Sequence, residues 1–304
     1  MSFIINLANK LRGSLNKVDD YRFINELKSG ESIPKVVHQT YHKKILPPEI
    51  QQNIAHLKSA NPEWEFRLYD DNDIENYIQT HYPQIISIYK KINPIYGAAR
   101  ADFFRYLLMY NEGGVYLDIK SGLNKPLKNI ISANEQFIVC YWNLANKVTH
   151  DVISNPNGEI QQWHIATVKG HPFLKSVIEN VCNNIKHYNP LLHDTGHWGV
   201  LNLTGPIAYT AAITPFLSTH ACRICYDHDD VGFNYSIYQS NVNANNAFVA
   251  HHKAYDKKHY TKCEESIVIQ GFSQNLTFMM FQPLRKLAKN YLSKKKIKLK
   301  NTIK

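Results

Sequence analysis

The feature that most constrains this sequence is an unbroken run from Arg100 to Ser121, in which a helix pattern, two glycines and a strand pattern follow one another. Residues 97–111 carry bulky apolar side chains at helical spacing, which predicts a buried helix. Gly113 and Gly114 would end that helix, and the residues that follow, VYLDI, predict a β-strand. A helix joined so closely to a buried strand is typical of an α/β domain.

Charged residues in this run lie on one face of the predicted helix and at the end of the predicted strand, where they could contact a ligand. Asp102 and Arg105 are three residues apart and therefore share one helix face. A period of two places Tyr116, Asp118 and Lys120 on one face of the strand. Taken singly, such residues are more often surface ion pairs or turn residues. Because ligands collect at the carboxyl ends of strands in α/β sheets, their combination instead predicts a site for a divalent cation on a diphosphate.

Neighbouring segments predict the elements that would surround this run. The residues IPKVVHQT, from Ile33 to Thr40, predict a first strand, and the two prolines at 47–48 predict the start of a helix. The segment NPEWEFRLYDD predicts a turn and a second strand, and the order strand, helix, strand predicts parallel pairing. The segment HPFLKSVIENVCNNIKHY predicts a further amphipathic helix.

Composition predicts one folded domain with terminal additions. The hydrophobic fraction of 44% and the aromatic fraction of 12% are those of a globular protein, and 304 residues suffice for one large α/β domain. We predict a helical extension over residues 1–30, the α/β domain over 31–262, and a basic helical tail over 263–304. The net charge of +10 lies largely in that tail, and it permits phosphate, acidic lipid or nucleic acid as partners.

The cysteines and the apolar pattern favour a reducing compartment. The chain has 5 cysteines, and an odd number does not indicate a disulfide framework. No stretch approaches the roughly 20 apolar residues of a spanning helix, and the start lacks a signal-peptide pattern. We therefore expect a cytoplasmic protein. A weak amphipathic pattern over residues 2–12 and the basic tail would suit peripheral binding to an anionic membrane face, although a solvated tail explains the same residues.

Five segments resemble glycosyltransferase family 32, which includes fungal Golgi mannosyltransferases and bacterial capsule and lipooligosaccharide transferases. They are IPKVVHQTY, NPEWEFRLYDD, ADFFRYLLMYNEGGVYLDIKS, LTGP and AHHKAYD. The similarity covers residues 33–255 and is most specific from Asp102 to Asp118. It implies a GT-A type (Rossmann-like) α/β fold, a nucleotide-sugar donor, a divalent metal and transfer with retention at the anomeric carbon.

The same resemblance implies roles for individual residues. Asp102 and Arg105 would contact the ribose and the sugar hydroxyls of the donor, and Asp118 would bind the metal or the donor sugar. Other residues of the donor pocket would be Gln39, Thr40, Tyr41, Tyr116 and Lys120. His252, with His251 beside it, would be a further ligand of Mn²⁺ or Mg²⁺, although exposed loop histidines are the ordinary alternative.

Two positions depart from the family pattern. Asp118, Ile119 and Lys120 stand where the family usually has Asp-x-Asp, and Tyr41 stands where it usually has tryptophan. A lysine at this position can pair with phosphate as a point charge and partly replace the cation, or it can point away from the site. The requirement for a metal is therefore left open by the sequence.

We expect a retaining hexosyltransferase that uses a UDP-sugar in preference to GDP-mannose. The acceptor would be a glycan or a lipid-linked glycan of bacterial capsule, lipooligosaccharide or O-antigen. Rings suited to stacking on a sugar, or to packing in the core, are those of Trp142, Trp163, His164, His197 and Trp198.

One function within the transferase class and two from other classes compete with this expectation. A toxin-like transferase that modifies a protein shares the Asp, Arg and Asp arrangement. A basic nucleic-acid-binding protein would interleave its charges with aromatic residues, whereas here the charge is concentrated in the tail, so no nucleic acid is expected as a partner. A metal-dependent hydrolase would need a ligand spacing such as H-E-x-x-H, which the sequence lacks.

Overall fold

The structure is a computed structural model, and it describes residues 15–16, 22–142, 148–150, 153, 155–238 and 259–284. Its strands are β1 (Val36–Thr40), β2 (Glu65–Tyr69), β3 (Gly114–Leu117), β4 (Gly122–Leu123), β5 (Phe137–Cys140), β6 (His164–Thr167), β7 (Arg223–Cys225) and β8 (Phe233–Asn234). Six of these strands form one sheet in the order β2-β1-β3-β6-β5-β7, and β4 pairs with β8.

Helices cover the sheet and extend beyond it. They are α1 (Pro48–Ala60), α2 (Asp71–His81), α3 (Ile86–Tyr89), α4 (Gly97–Glu112), α5 (Leu127–Ile130), α6 (Pro172–His187), α7 (Pro190–His193), α8 (Gly196–Leu203), α9 (Pro206–Ile213) and α10 (His228–Val231), followed by α11 over residues 272–284. Proline is the first residue of α1, α6, α7 and α9, where its missing N–H costs no helix hydrogen bond. None of the helices in the described part of the chain combines the length and the apolar composition that crossing a membrane requires.

Strand direction determines which loops meet at the edge of the sheet. Strand β1 pairs in parallel with both β2 and β3, as the order of elements predicts. Strand β3 pairs antiparallel with β6, so that Leu117 lies opposite His164. The residues that follow β1 and β3 therefore lie at the same edge as the residues that precede β6.

The helix α4 is the centre of the core on one face of the sheet. Its apolar residues Phe103, Phe104, Leu107 and Leu108 are fully buried, as their spacing predicts. They belong to one cluster with the apolar stripe of α6, and the opposite face of the sheet packs in a second cluster. Because α4 is buried on nearly every side, polar groups on it are removed from water and need partners within the protein.

The double glycine turns the chain directly from α4 into β3. Gly113 has φ of 70° and Gly114 has φ of 97°, which are left-handed values that favour glycine. A Cβ atom on Gly114 would lie 2.6 Å from the carbonyl oxygen of Val36 on β1. This turn makes α4 antiparallel to β3, and it brings the beginning of the helix to the edge where the strand ends.

The α/β class predicted from the sequence is confirmed, with one correction to the strand. The pattern VYLDI predicts β3 through Ile119, but the strand ends at Leu117 because Asp118 begins a turn. In that turn the Ser121 N–H donates to the Asp118 carbonyl at 2.8 Å. The predicted domain bounds stay predictions, since most of residues 1–30 and the end of the tail lie outside the described residues.

Candidate active site

A cleft of about 490 Å³ opens at the edge of the sheet where β1 and β3 end. Thr40 and Tyr41 line it from the end of β1, and Asp118 and Lys120 line it from the turn after β3. Gln162 reaches it from the segment before β6. The three neighbouring strands therefore supply one continuous wall of polar side chains.

A buried array of charges forms the floor of this cleft. Asp102 and Arg105 are only 4% and 5% exposed, so they are not a surface ion pair. Arg105 Nη2 lies 3.1 Å from Oδ1 of Asp102 and 3.1 Å from Oδ1 of Asp118. We call Asp102, Arg105 and Asp118 the charged array; it joins the helix α4 to the end of β3.

Neutral partners satisfy most of the remaining polar atoms of the array. Arg105 Nη1 donates to the side-chain and main-chain oxygens of Gln162, at 2.6 and 2.9 Å. The amide of Gln162 donates to Oδ1 of Asp102 at 3.1 Å, and the hydroxyl of Thr204 donates to Oδ2 at 3.1 Å. The array is therefore fixed in position before any ligand binds, which is what electrostatic catalysis requires.

An aromatic ring supports the guanidinium from below. The Cζ atom of Arg105 lies 4.6 Å from the centroid of the Tyr116 ring, within the range of a cation–π interaction. The hydroxyls of Tyr116 and Thr40 are 2.8 Å apart and form a hydrogen bond. Strands β1 and β3 are thus linked under the array, in addition to their backbone pairing.

Burial shifts the ionisation of the groups in the array. Removal from water raises the pKa of Asp102 to about 6, and the opposing charge of Arg105 limits that rise. Burial alone would lower the pKa of Arg105, but the facing groups Tyr116, Asp118 and Asp102 hold it above its ordinary value. Arg105 is therefore a permanent cation, and Asp102 is a carboxyl group that titrates near neutral pH.

Lys120 lies in the cleft and is paired there. It is 7% exposed, and its Nζ lies 3.7 Å from Oδ2 of Asp118 and 4.2 Å from the centroid of the Tyr235 ring. Burial acts to lower the pKa of Lys120, but Tyr235 and Asp118 hold that pKa above its ordinary value. Of the two orientations that the sequence leaves open, the structure has the one in which the lysine faces the site.

The other predicted donor-site residues divide into three groups. Thr40, Tyr41 and Tyr116 line the cleft. Gln39 is 3% exposed and does not line it, because successive side chains of β1 point to opposite faces of the sheet. His251 and His252 lie outside the described residues. The roles of all these residues in binding a donor stay predictions.

A second group of polar and aromatic side chains lines the same cleft. Glu159 accepts a hydrogen bond from the indole N–H of Trp142 at 2.9 Å, and its other oxygen lies 2.6 Å from Nε2 of His150. The ring of His150 contacts the ring of Trp198 edge-on at 5.9 Å. Trp198 is 51% exposed, so one of its faces is open to a ligand. We call Trp142, His150, Glu159 and Trp198 the aromatic wall.

Several functional candidates were missed by sequence reasoning. They are Gln162, Thr204, Glu159, His150 and Tyr235. Glu159 and Gln162 come from a polar stretch without periodicity, and their place in the cleft depends on the antiparallel position of β6. The sequence did point to the rings, since Trp142, Trp163, His197 and Trp198 all line the cleft, whereas His164 is buried outside it.

An acidic cluster lies apart from the charged array. Within the residues that the structure describes, Asp227, His228 and Asp229 are the group of three whose ligand atoms lie within 4.8 Å of one another. This acidic cluster belongs to the short helix α10 and does not include Asp118.

The match to known proteins agrees with this geometry. Residues 47–138, which include α4, β3 and Asp118, match the family described as a glycosyltransferase sugar-binding region containing a DXD motif. Over these residues the chain is similar to that family. The resemblance predicted from the sequence is thereby confirmed over these residues, together with the α/β class of the fold.

Proteins similar to this chain include named fungal enzymes. Over 183 residues the chain is 30% identical to inositol phosphoceramide mannosyltransferase 3 of Schizosaccharomyces pombe, covering 60% of this chain and 45% of that one. Over 257 residues it is 25% identical to inositol phosphoceramide mannosyltransferase 1 of the same yeast, covering 83% and 70%. Over 212 residues it is 25% identical to the initiation-specific alpha-1,6-mannosyltransferase of Candida albicans, covering 62% and 54%. The chain thus spans about half the length of two of these relatives.

A solved structure, the PaToxG glycosyltransferase, aligns with 70% of this chain and 77% of its own, at 16% identity and a TM-score of 0.46. Glycosyltransferases with a DXD motif typically use a divalent metal. The matched region of this chain has Asp118, Ile119 and Lys120.

Proposed function

We propose that this glycosyltransferase moves a hexose from a nucleotide-sugar donor to a hydroxyl group of a glycan or a lipid-linked glycan. The observation that carries this proposal is the charged array at the floor of the cleft, in which Asp102 and Arg105 are buried and Asp118 is half-buried. Fixed carboxylates accept hydrogen bonds from sugar hydroxyls, and fixed cations attract a diphosphate.

The array suits a reaction in which negative charge accumulates on a leaving group. As the bond from the anomeric carbon to the diphosphate oxygen breaks, the cationic side chains of Arg105 and Lys120 stabilise the departing nucleoside diphosphate. We propose retention, with the acceptor hydroxyl attacking from the face that the diphosphate leaves. The new bond joins the acceptor oxygen to the anomeric carbon, and the hydroxyl proton passes to a diphosphate oxygen.

We propose mannose as the sugar to test first. The relatives named above are mannosyltransferases, which favours a mannosyl donor over the UDP-sugar expected from the sequence. Two of them are named for inositol phosphoceramide, which supports a lipid-linked acceptor. A bacterial capsule, lipooligosaccharide or O-antigen belongs to the same chemical class of acceptor.

The aromatic wall supports a sugar acceptor opposite the donor. Trp198 offers an exposed ring face, and sugars stack their C–H groups on such faces. Glu159 and His150 lie beside it with oxygen and nitrogen atoms suited to hydroxyl groups. An acceptor bound there would lie in the same cleft as the charged array.

The decisive experiment is a transfer assay with GDP-mannose and a panel of UDP-sugars, read by mass spectrometry of glycan and glycolipid acceptors. We expect Asp118→Asn to lower the transfer rate by about a hundredfold or more, because it removes a charge that lines the cleft. The matched control is Asp229→Asn in the acidic cluster, which is exposed and should leave the rate unchanged. Full activity of Asp118→Asn, with an unchanged melting temperature, would refute the proposal.

We also propose that the protein binds peripherally to an anionic membrane on its cytoplasmic face. Helix α11 is anchored by Phe278, which is 4% exposed, and its outer face is apolar. That outer stripe consists of Phe272, Leu276, Met279, Met280 and Leu284, which are 51–87% exposed. In the sequence a lysine-rich run follows directly, which supports attraction to acidic lipids. All five cysteines are free thiols, in keeping with a reducing compartment.

A further inference from the structure

The residue at position 120 changes the charge of the site relative to the family motif. The family is described by a DXD motif, and the matched region of this chain has Asp118, Ile119 and Lys120. An aspartate carries one negative charge and a lysine one positive charge at neutral pH. A site with lysine at this position is therefore two charge units more positive than a site with aspartate. This difference equals the charge of one divalent cation.

Lys120 is held in a defined position beside the charged array. Its Nζ lies 3.7 Å from Oδ2 of Asp118 and above the ring of Tyr235. Its carbonyl accepts a hydrogen bond from the Ile237 N–H at 2.9 Å, and the hydroxyl of Ser121 donates to the carbonyl of Tyr235 at 3.0 Å. Contacts on both the backbone and the side chain thus fix the ammonium group in the wall of the cleft.

The residues around Asp118 do not fit a divalent metal. Arg105 faces one carboxylate oxygen at 3.1 Å and Lys120 faces the other at 3.7 Å, so each atom that would bind a metal already faces a cation. An ammonium group has no lone pair to offer a metal, and its charge repels one. The acidic cluster of the described residues does not include Asp118.

We propose that Lys120 is the counter-ion of the donor diphosphate, and that nucleotide binding in this cleft needs no divalent metal. This inference rests on the proposed function, because it takes a nucleotide sugar to be the donor. The formal charges of Asp102, Arg105, Asp118 and Lys120 sum to zero without a metal. With aspartate at position 120 they would sum to minus two, and a divalent cation would return the sum to zero.

The fixed ammonium also suits the chemical step. A diphosphate gains negative charge as it leaves, and a cation already in place stabilises that charge without reorganisation. The lysine ammonium is a compact point charge with three N–H donors, which suits the oxygens of a diphosphate. The pairing with Asp118 keeps the ammonium charged and directed into the cleft until the donor binds.

The test is a titration of UDP and of GDP by calorimetry, in buffer with EDTA and in buffer with Mn²⁺. For the wild-type protein we expect the nucleotide that binds to do so in EDTA, with a Kd within about threefold of its Kd in Mn²⁺. For Lys120→Asp, which restores the family motif, we expect binding to be weakened roughly ten- to a hundredfold in EDTA and recovered in Mn²⁺. For Lys120→Gln we expect a similar loss that Mn²⁺ does not recover.

Lys128→Asp, an identical change at an exposed site on α5, is the matched control and should bind as the wild type does in both buffers. Melting temperatures identify any variant that fails to fold, and Lys120→Gln serves if Lys120→Asp is unstable. Wild-type binding that disappears in EDTA and returns with Mn²⁺ would overturn this inference while leaving the proposed function intact. Absence of nucleotide binding in both buffers would overturn both.

Discussion

Asp102 is a carboxyl group whose ionisation is controlled by the protein rather than by solvent. It is 4% exposed and meets one cation, Arg105, together with the neutral groups of Gln162 and Thr204. Burial raises its pKa to about 6, from 3.8 for the free side chain. The ionised form therefore costs folding free energy, and that cost grows as the pH rises from 3.8 to about 6.

The raised pKa of Asp102 predicts the pH dependence of transfer. As the pH falls through about 6, Asp102 takes up a proton and loses its attraction for Arg105 and for donor hydroxyls. We expect kcat/KM to fall with it. A pH profile of kcat/KM measures this, and Asp102→Asn should give a low rate without the inflection. A wild-type profile that stays level through this range would contradict the assignment.

At the residue scale, a contact can be predicted from the sequence when the spacing of two residues along one helix is enough to bring their side chains together. Asp102 and Arg105 meet because a helix places residues three apart on one face. Gln162 could not be found in the same way, because its contact with Arg105 joins residues 57 positions apart through the antiparallel pairing of β6. No local pattern encodes that pairing.

At the scale of elements, the turn from α4 into β3 depends on glycine. Gly114→Ala would place a methyl group 2.6 Å from the Val36 carbonyl oxygen, at a φ of 97°. We expect a loss of about 2–4 kcal/mol in the free energy of unfolding, from backbone strain and overpacking together. Urea denaturation followed by circular dichroism measures it.

Gly97→Ala is the control for this glycine experiment, because it lies at the start of the same helix and a Cβ there meets nothing within 4 Å. We expect it to raise the free energy of unfolding by less than about 1 kcal/mol, since alanine reduces the freedom of the unfolded chain. Equal destabilisation by the two substitutions would show that the turn geometry is not the cause.

Element boundaries were predicted well where proline or glycine marks them. The start of α1 at its two prolines agrees with the sequence, and so does the break after α4. The end of β3 was predicted two residues too late, because an apolar Ile119 continues the strand pattern while Asp118 already turns the backbone. The turn at Asp118 is stabilised by backbone hydrogen bonds, and these cannot be predicted from the apolar pattern of VYLDI.

At the scale of the whole molecule, the outer stripe of α11 predicts binding to lipid vesicles. We expect the wild-type protein to cosediment with vesicles that contain phosphatidylserine and to bind neutral vesicles weakly. Leu276→Glu should weaken binding to the anionic vesicles roughly tenfold or more, because it removes an exposed apolar side chain that would insert into the bilayer and adds a negative charge.

The matched control is Gln274→Glu, which adds the same charge outside the stripe and should weaken binding less than Leu276→Glu does. Equal effects of the two substitutions would mean that charge alone governs the binding. Equal binding of the wild-type protein to neutral and anionic vesicles would refute the proposal that the membrane must be anionic.

The parallel half of the sheet was predictable from the sequence and the other half was not. Strands β1, β2 and β3 follow one another with helices between them, an order that favours parallel pairing. Strands β5, β6 and β7 pair across longer stretches of chain with little periodicity, and β6 runs against its neighbours β3 and β5. The charged array belongs to the first half, and the aromatic wall comes from segments next to the second.

The hydrogen bonds from Arg105 to Gln162 join two parts of the sheet, so the recovery of activity during refolding depends on both parts. Arg105 belongs to the parallel half of the sheet, and Gln162 precedes the antiparallel strand β6. The guanidinium reaches its working orientation only when these two halves have docked. Helix content can therefore recover before catalysis does. The return of turnover during refolding then reports the docking of the two halves of the sheet.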